Sequence, residues 1–300
     1  MIEQTVDIAT KDGATTMASD NGCGWVKVFS NTLERRSTAN DLGFSDVGNG
    51  LATGVQYRIS GPWQAGFSLG WDNHSIQQKE VAASSSGDLF TGAAVVKWED
   101  GAGSLAVALA GGSGRFSSQR TFGLATPEYA AAFAKSTFGL SFVQADARAS
   151  WLFTRGAGYA KPQIAVSVND AMIGQFSEVG AGAIGSRSPG GDHLGVTIKP
   201  AVEMGFDIKT SAGTALRPWL VVGAVIRPDP TFTLPVAFDG STVASGTYDQ
   251  STRMDRAAAT VDAGFDLIRD RAYNISVGYK GELGSQYVRQ GAQVKVTIPF

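Results

Sequence analysis

One cysteine, Cys23, and two histidines, His74 and His193, are all the thiolate and imidazole metal ligands this 300-residue chain offers. A single cysteine excludes an intrachain disulfide and any zinc cluster built on paired cysteines. Charge is scarce too: Asp, Glu, Lys and Arg make up 17% of the residues, against about a quarter in ordinary soluble domains. The formal charge is −2 and the pI about 5.7, which gives nucleic acid or another polyanion no basic surface to bind. Long hydrophobic runs are missing. The longest, such as Leu105–Ala110, falls far short of the ~18 residues of a transmembrane helix. The start, Met1-Ile-Glu-Gln-Thr-Val-Asp, lacks the basic opening and apolar core of a secretory signal. A place outside the cytoplasm would therefore make this sequence an excised or truncated piece.

What is present is glycine, 38 residues of it, and alternation. In the stretch Leu194 to Ile208 the even positions (Leu194, Val196, Ile198, Pro200, Val202, Met204, Phe206, Ile208) are all apolar. The odd positions (Gly195, Thr197, Lys199, Ala201, Glu203, Gly205, Asp207) are small or polar. Strict period two predicts a strand with one face in apolar surroundings and one in polar surroundings. At about 3.3 Å per residue it would run roughly 50 Å. A strand crossing a bilayer needs only about 9–11 residues for the hydrocarbon, whereas ordinary strands stop at about five or six.

The pattern recurs along the chain. A first strand, the least clean, sets Val26 and Val28 against Lys27, although Trp25 and Phe29 share the lysine's face. Alternation follows over 51–59, 63–71, 90–98, 105–109, 143–153, 160–168, 194–208, 216–226, 259–267, 273–279 and 292–300, about twelve strands in all. Short connections at 60–63, 99–103, 155–158, 209–214 and 269–271 alternate with long ones at 33–47, 73–87, 115–136, 170–192 and 228–254; 284–288 is the exception. An antiparallel meander with one short-turn rim and one loop-bearing rim has this rhythm. The expected fold is all-β: a 12-stranded antiparallel transmembrane up-and-down β-barrel over residues 22–300, one domain, with a short leader over residues 1–21.

Period two fits a soluble barrel as well, with charges outside. Strand length and loop asymmetry favour the inside-out reading. The face bearing Arg58, Asp146, Arg148, Lys161, Lys199, Glu203, Asp207, Asp262, Asp266, Lys280, Glu282 and Lys295 would then line a water-filled pore. Trp63, Trp71, Trp98, Trp151, Tyr273 and Tyr279, towards the ends of the opposite face, would form an interfacial girdle. Twelve strands lie between the filled eight-stranded barrel and the open sixteen-stranded porin, so the bore would accept about one helix or extended segment.

The segments Gly22–Phe29, GLATGVQYRISGPWQAGFSLGW at 50–71, GYAKPQIAVSV at 158–168, Gln175–Gly180 and the closing VKVTIPF resemble the C-terminal translocator barrels of monomeric autotransporters, the type V secretion family of Gram-negative bacteria. The resemblance implies an outer-membrane barrel, surrounded by lipid, that anchors and helps export an N-terminal passenger, here missing. It also implies that Val294, Val296, Ile298 and Phe300 form an insertion signal read by the barrel-assembly machinery, with periplasmic chaperones as further partners. In that family a helix threads the pore. Here Gly13 interrupts the short residues 1–21, and Asp20-Asn21 stands where some members cleave at an Asn-Asn pair, so no autocleavage residues carry over. A monomer is expected, with no cofactor, metal, nucleic acid or catalytic residue.

Two other functions fit the same residues. The polar interior would serve a diffusion porin or channel. A barrel esterase or protease would draw on His193 with Ser186 or Ser188, although no motif singles these out. His74 and His193 read as loop or strand-end side chains, and Gly111-Gly112-Ser113-Gly114 and Gly190-Gly191 as strand ends. Lys199, Glu203 and Asp207, at spacing four on one face, read as structural ion pairing. Residues 231–238 read as loop or surface hairpin.

Overall fold

The structure, a computed structural model, describes residues 22–39, 41–122, 132–210, 213–240, 246–269 and 272–300; the leader expected over 1–21 lies outside them. The barrel strands are β1 (Gly22–Arg35), β2 (Phe44–Ser60), β3 (Trp63–Gln78), β4 (Ala83–Asp100), β5 (Gly103–Phe122), β6 (Ala132–Trp151), β7 (Gly158–Ile173), β8 (Gly191–Phe206), β9 (Thr214–Ile226), β10 (Ala257–Arg269), β11 (Tyr273–Leu283) and β12 (Tyr287–Pro299). Each pairs antiparallel with its neighbours in sequence, and β1 pairs with β12 from Cys23↔Pro299 to Arg35↔Tyr287, so the twelve-stranded sheet closes on itself. Closure leaves no sheet edge unpaired, the condition for strands in hydrocarbon. The amide of Phe300 donates to Gly22 O at 3.0 Å and completes the seam.

The alternation expected from sequence sets the faces. Outward positions are apolar and exposed: Val26 and Val28 on β1, Phe67 and Leu69 on β3, Val107 and Leu109 on β5, Val202, Met204 and Phe206 on β8, and Val294, Val296 and Ile298 on β12. Inward positions carry the buried polar groups. On β1 the inward set is Trp25, Lys27 and Phe29, all buried. The two rings lie over Gly50 and Gly54 of β2, where a Cβ would collide with them, so the bulk that blurred the sequence pattern has space made for it next door.

The long strand of the sequence reading breaks once. Phe206 ends β8, Asp207 N–H turns to Ala157 O at 2.7 Å, and pairing resumes over Ile208–Thr210. β6 breaks likewise at Leu152 and continues over Phe153–Arg155. At the short-turn rim Gly61 (φ 51°) and Gly101 (φ 58°) supply the left-handed conformation the tight hairpins need.

The loop-bearing rim departs from expectation. Connections expected at 73–87 and 33–47 shrink to 79–82 and 36–43, and pairing runs on to Phe122↔Ala132 between β5 and β6. There the sequence becomes serine-rich on both faces (Ser84, Ser85, Ser86, Ser117, Ser118). With no apolar face to bury, period two vanishes from the sequence while backbone pairing continues. The connections after β7 and β9 instead build a separate four-stranded sheet from Phe176–Ser177, Ser186–Ser188, Thr231–Phe238 and Thr247–Arg253. The stretch 231–238 is thus a hairpin strand.

Candidate functional site

Among the described residues, buried charge is concentrated in the lumen. Asp146 and Arg148 on β6, Lys161 on β7, Lys199 and Glu203 on β8, Asp262 and Asp266 on β10, Lys280 and Glu282 on β11, and Lys295 on β12 all fall on the inward parity of their strands. Asp207 stands at the short-turn rim. Arg58 shares the inward parity of β2 but is exposed at the same rim, where it donates to Gly61 O at 3.3 Å.

These groups are tied across strands. Lys161 Nζ lies 3.0 Å from Glu203 Oε2, and Tyr159 Oη donates to Glu203 Oε1 at 2.9 Å. β7 and β8 set Lys161 and Glu203 directly opposite each other, so register puts the carboxylate against the ammonium. Arg217 donates to Asp207 at 2.5 Å. The expected spacing-four set on β8 is therefore drawn apart, with Glu203 held by β7 and Asp207 by β9. Asp146 accepts from Ser167 Oγ and Gln144 Nε2. Higher up, Glu282 gathers Arg227 at 2.5 Å, the Tyr287 hydroxyl and Arg289 at 3.6 Å.

Sequence reading missed several inward groups. Lys27 sits 4.9 Å from the Phe29 ring centroid, Lys97 pairs with Glu99 at 2.5 Å, and Arg35 donates to Asp41, Leu42 O and Arg253 O. His74, expected at a strand end or loop, is buried in the wall of β3. Its Nε2 lies 2.6 Å from Asp72 and its Nδ1 3.0 Å from Asp46, and its ring fills the space left by Gly48. Asp72 and His74, two apart on one strand face, were a readable signal; Asp46 on the neighbouring strand was not. Asp46, His74, Arg148, Lys199, Glu282 and Arg289 contribute to the lining of a polar chamber of about 150 Å³ in the lumen.

The opposite side of the lumen is apolar. Ala93 and Val95 on β4, Ala106, Ala108 and Ala110 on β5, with Leu89 and Phe142, form one buried cluster. The lumen is thus two-sided: the middle of β4–β5 is smooth and apolar, with the Lys97–Glu99 pair at its short-turn end, and β7–β12 is ionic.

At the mouth, Arg120 grips Glu178 through two hydrogen bonds of 2.8 and 2.7 Å and also donates to Ile184 O at 2.7 Å. Burial alone would raise the Glu178 carboxyl, but Arg120 and the Ser186 N–H outweigh it and hold the group below the usual range. Ser188 Oγ donates to Pro235 O at 2.6 Å, and the His193 ring meets Phe232 edge-on at 5.8 Å. Among the described residues no group of three His, Cys, Asp or Glu side chains is arranged to hold a metal ion.

A family model described as the autotransporter beta-domain matches residues 24–280. The translocator domain of the autotransporter NalP from Neisseria meningitidis superposes with a TM-score of 0.73 at 14% identity, covering 100% of this chain and 93% of that one. The beta domain of the Bordetella autotransporter BrkA gives 0.63 at 16%, covering 93% and 99%. The transport unit of AIDA-I from Escherichia coli gives 0.62 at 11%, covering 98% and 95%. At these identities the superpositions speak for the fold. No curated protein sequence matches the chain.

Proposed function

Because the chain belongs to the autotransporter beta-domain family, we propose that its two-sided lumen is the route by which a linked N-terminal passenger reaches the cell surface. The protein is an outer-membrane translocator barrel of a Gram-negative bacterium. One observation carries the reading. On β8, Val202, Met204 and Phe206 are 39%, 41% and 61% exposed, while Glu203 between them is 2% exposed and paired inside. A barrel that turns its apolar side outward has lipid as its solvent and water as its core.

Strand order supports the passage. β1 starts at the short-turn rim, beside the end of β12, so a segment joined ahead of Gly22 starts from the periplasmic side. To be displayed on the other side it must rise through the bore. On this reading residues 22–300 are the barrel unit and residues 1–21 the leader into it. Asp146, Arg148, Lys161, Lys199, Glu203, Asp262, Asp266, Lys280, Glu282 and Lys295 line the pore, with Arg58 and Asp207 at its periplasmic end. The outward row Val294, Val296, Ile298 and Phe300 on the closing strand suits a signal read by the barrel-assembly machinery after delivery by periplasmic chaperones. On this reading the barrel is a conduit: Ser188 Oγ donates to a backbone carbonyl and the His193 ring packs edge-on against Phe232.

The test is display. A reporter domain and a secretion signal are fused ahead of Met1, and intact cells are treated with protease. The expected result is loss of the reporter while the heat-modifiable barrel remains. A reporter that stays protected in the periplasm behind a folded barrel overturns the proposal.

A further inference from the structure

The outer surface of β3–β6 carries three chemical zones stacked along the same strands. The lowest is a shallow apolar groove of about 760 Å³, shaped by Thr53, Phe67, Leu69, Gly92, Leu109 and Gly111. Directly above it, Trp71 and Phe90 mark the top of the apolar band. Next comes Arg115, set across from Asp88 of β4. Among the described outward residues of these strands Asp88 is the only carboxylate above the apolar band, and its Oδ1 accepts from Trp71 Nε1 and Asn73 Nδ2 at 3.2 Å each. Highest is a polar recess of about 630 Å³ whose outward lining includes Ser75, Gln77, Ser86, Ser117, Thr137 and Lys135. On each strand the order is the same: Leu69, Trp71, Asn73, Ser75 on β3, and Leu109, Gly111, Ser113, Arg115, Ser117 on β5.

We propose that this wall binds a phosphorylated glycolipid of the outer leaflet, a lipopolysaccharide. Its acyl chains lie in the apolar groove, a phosphate of its sugar headgroup meets Arg115, and its outer sugars lie on the hydroxyl and amide wall beside Lys135. The height of the wall selects the ligand. From Trp71 to Gln77 the strand runs ~20 Å, a climb of about 15 Å above the apolar band at the ~40° tilt of barrel strands, which a phospholipid headgroup cannot span and a saccharide can. Serine, threonine and glutamine in a row supply paired donors and acceptors for sugar hydroxyls, and guanidinium and ammonium groups supply the charge-assisted contact to phosphate. The outward face of β9–β12 has no equivalent. Ile226, Ala257 and Leu283 carry its apolar band to the strand ends.

The test uses the folded full-length chain in detergent, with native mass spectrometry measuring retained lipid. Three probes are compared: lipopolysaccharide with phosphorylated lipid A and core sugars, the same after phosphatase treatment, and phosphatidylglycerol. Wild type should retain the first most strongly. The double variant Arg115→Gln/Lys135→Gln should retain it about tenfold more weakly, the weight of one or two charge-assisted contacts, and should no longer distinguish it from the dephosphorylated form. Gly92→Leu with Gly111→Leu fills the groove where the nearest atoms to a new Cβ are 3.7 and 3.4 Å away. These leucines should weaken binding with both cations in place, so the proposal stays testable if the charge variant folds poorly. Arg58→Gln, at the other rim, should bind as wild type. Undiminished retention by either double variant, or retention of phosphatidylglycerol equal to that of lipopolysaccharide, overturns the proposal.

Discussion

The two sides of the barrel reach the outside by different means. β4, β5 and β6 have 18, 20 and 20 residues, whereas β10, β11 and β12 have 13, 11 and 13. The tall side keeps its sheet going above the apolar band, with a polar exterior and an alanine-lined interior. The short side stops near the band and is finished by loops. Arg227 joins Glu282 and Tyr287, Asp255 accepts from Ser285 Oγ and Gln286 N, and Arg35 reaches Arg253 O. Backbone pairing demands nothing of side chains, so the tall wall is free to spend its sequence on hydroxyls. Loops must be held by side chains, so the short side gathers its charge around them and in the bore beneath.

The contrast breaks most sharply where charge is buried. Glu203→Ala removes the carboxylate that Lys161 and the Tyr159 hydroxyl share, and should cost about 3 kcal/mol or more. The loss is read as a lower midpoint of the heat-modifiable gel shift. Glu203→Gln, which keeps a hydrogen bond for Tyr159, should lose less. If both variants melt with wild type, the ionic wall contributes nothing and the two sides are equivalent.

The tall side should fail by volume instead. Ala108 is buried on the lumen face of β5 between Ala106 and Ala110, opposite Val95 of β4. Ala108→Leu forces extra methyl groups into that packed stripe, at a cost of about 1–3 kcal/mol, by the same measurement. Ala108→Ser should cost less, since the register sets Asp146 of β6 directly opposite and gives the hydroxyl an acceptor.

A smaller effect is confined to the mouth. Arg120→Ala should leave the barrel's melting almost unchanged and cost about 1 kcal/mol locally, seen as faster hydrogen exchange over residues 174–190. Acid should act on the same contact. The Glu178 carboxyl is depressed in the folded state, so its contribution is whole above the ordinary carboxylate range and is lost as pH falls through the lower folded value. Protection factors over 174–190, taken against the intrinsic exchange rate at each pH, should therefore fall as pH drops below the ordinary carboxylate range in wild type and show no such acid step in Arg120→Ala.

The faces of both sides could be read from sequence, and the tops of the strands could not. Val202, Met204 and Phe206 against Glu203 fix inside and outside because lipid tolerates one set and not the other. Ser84 to Ser86 and Ser117-Ser118 carry no such contrast, and so read as loop although they pair as strand. Within the lumen, parity gave Lys161 and Glu203 their face but not their partnership, which depends on register between β7 and β8. Trp25 and Phe29 blurred the first strand because the space they fill belongs to Gly50 and Gly54, more than twenty residues on.

The slightest expected effect bears on where the apolar band ends. On the tall side its upper limit is set by Trp71 and Phe90, with Ser86 and Ser117 on the next outward positions above Asp88 and Arg115. Ser86→Val with Ser117→Val swaps exposed hydroxyls for β-branched groups that suit a strand, so stability should move by no more than about 0.5 kcal/mol. Apolar surface above the aromatic line pulls that side of the barrel deeper, because each added buried methylene favours hydrocarbon by about 0.8 kcal/mol. Trp71 fluorescence should then be quenched more by lipids brominated further down the acyl chain than in wild type. The same pair of valines placed at exposed positions of the short side, where apolar residues already run to the strand ends, should leave the quenching depth unchanged. Equal shifts from both sides would mean that the hydroxyl wall does not set the barrel's height in the membrane.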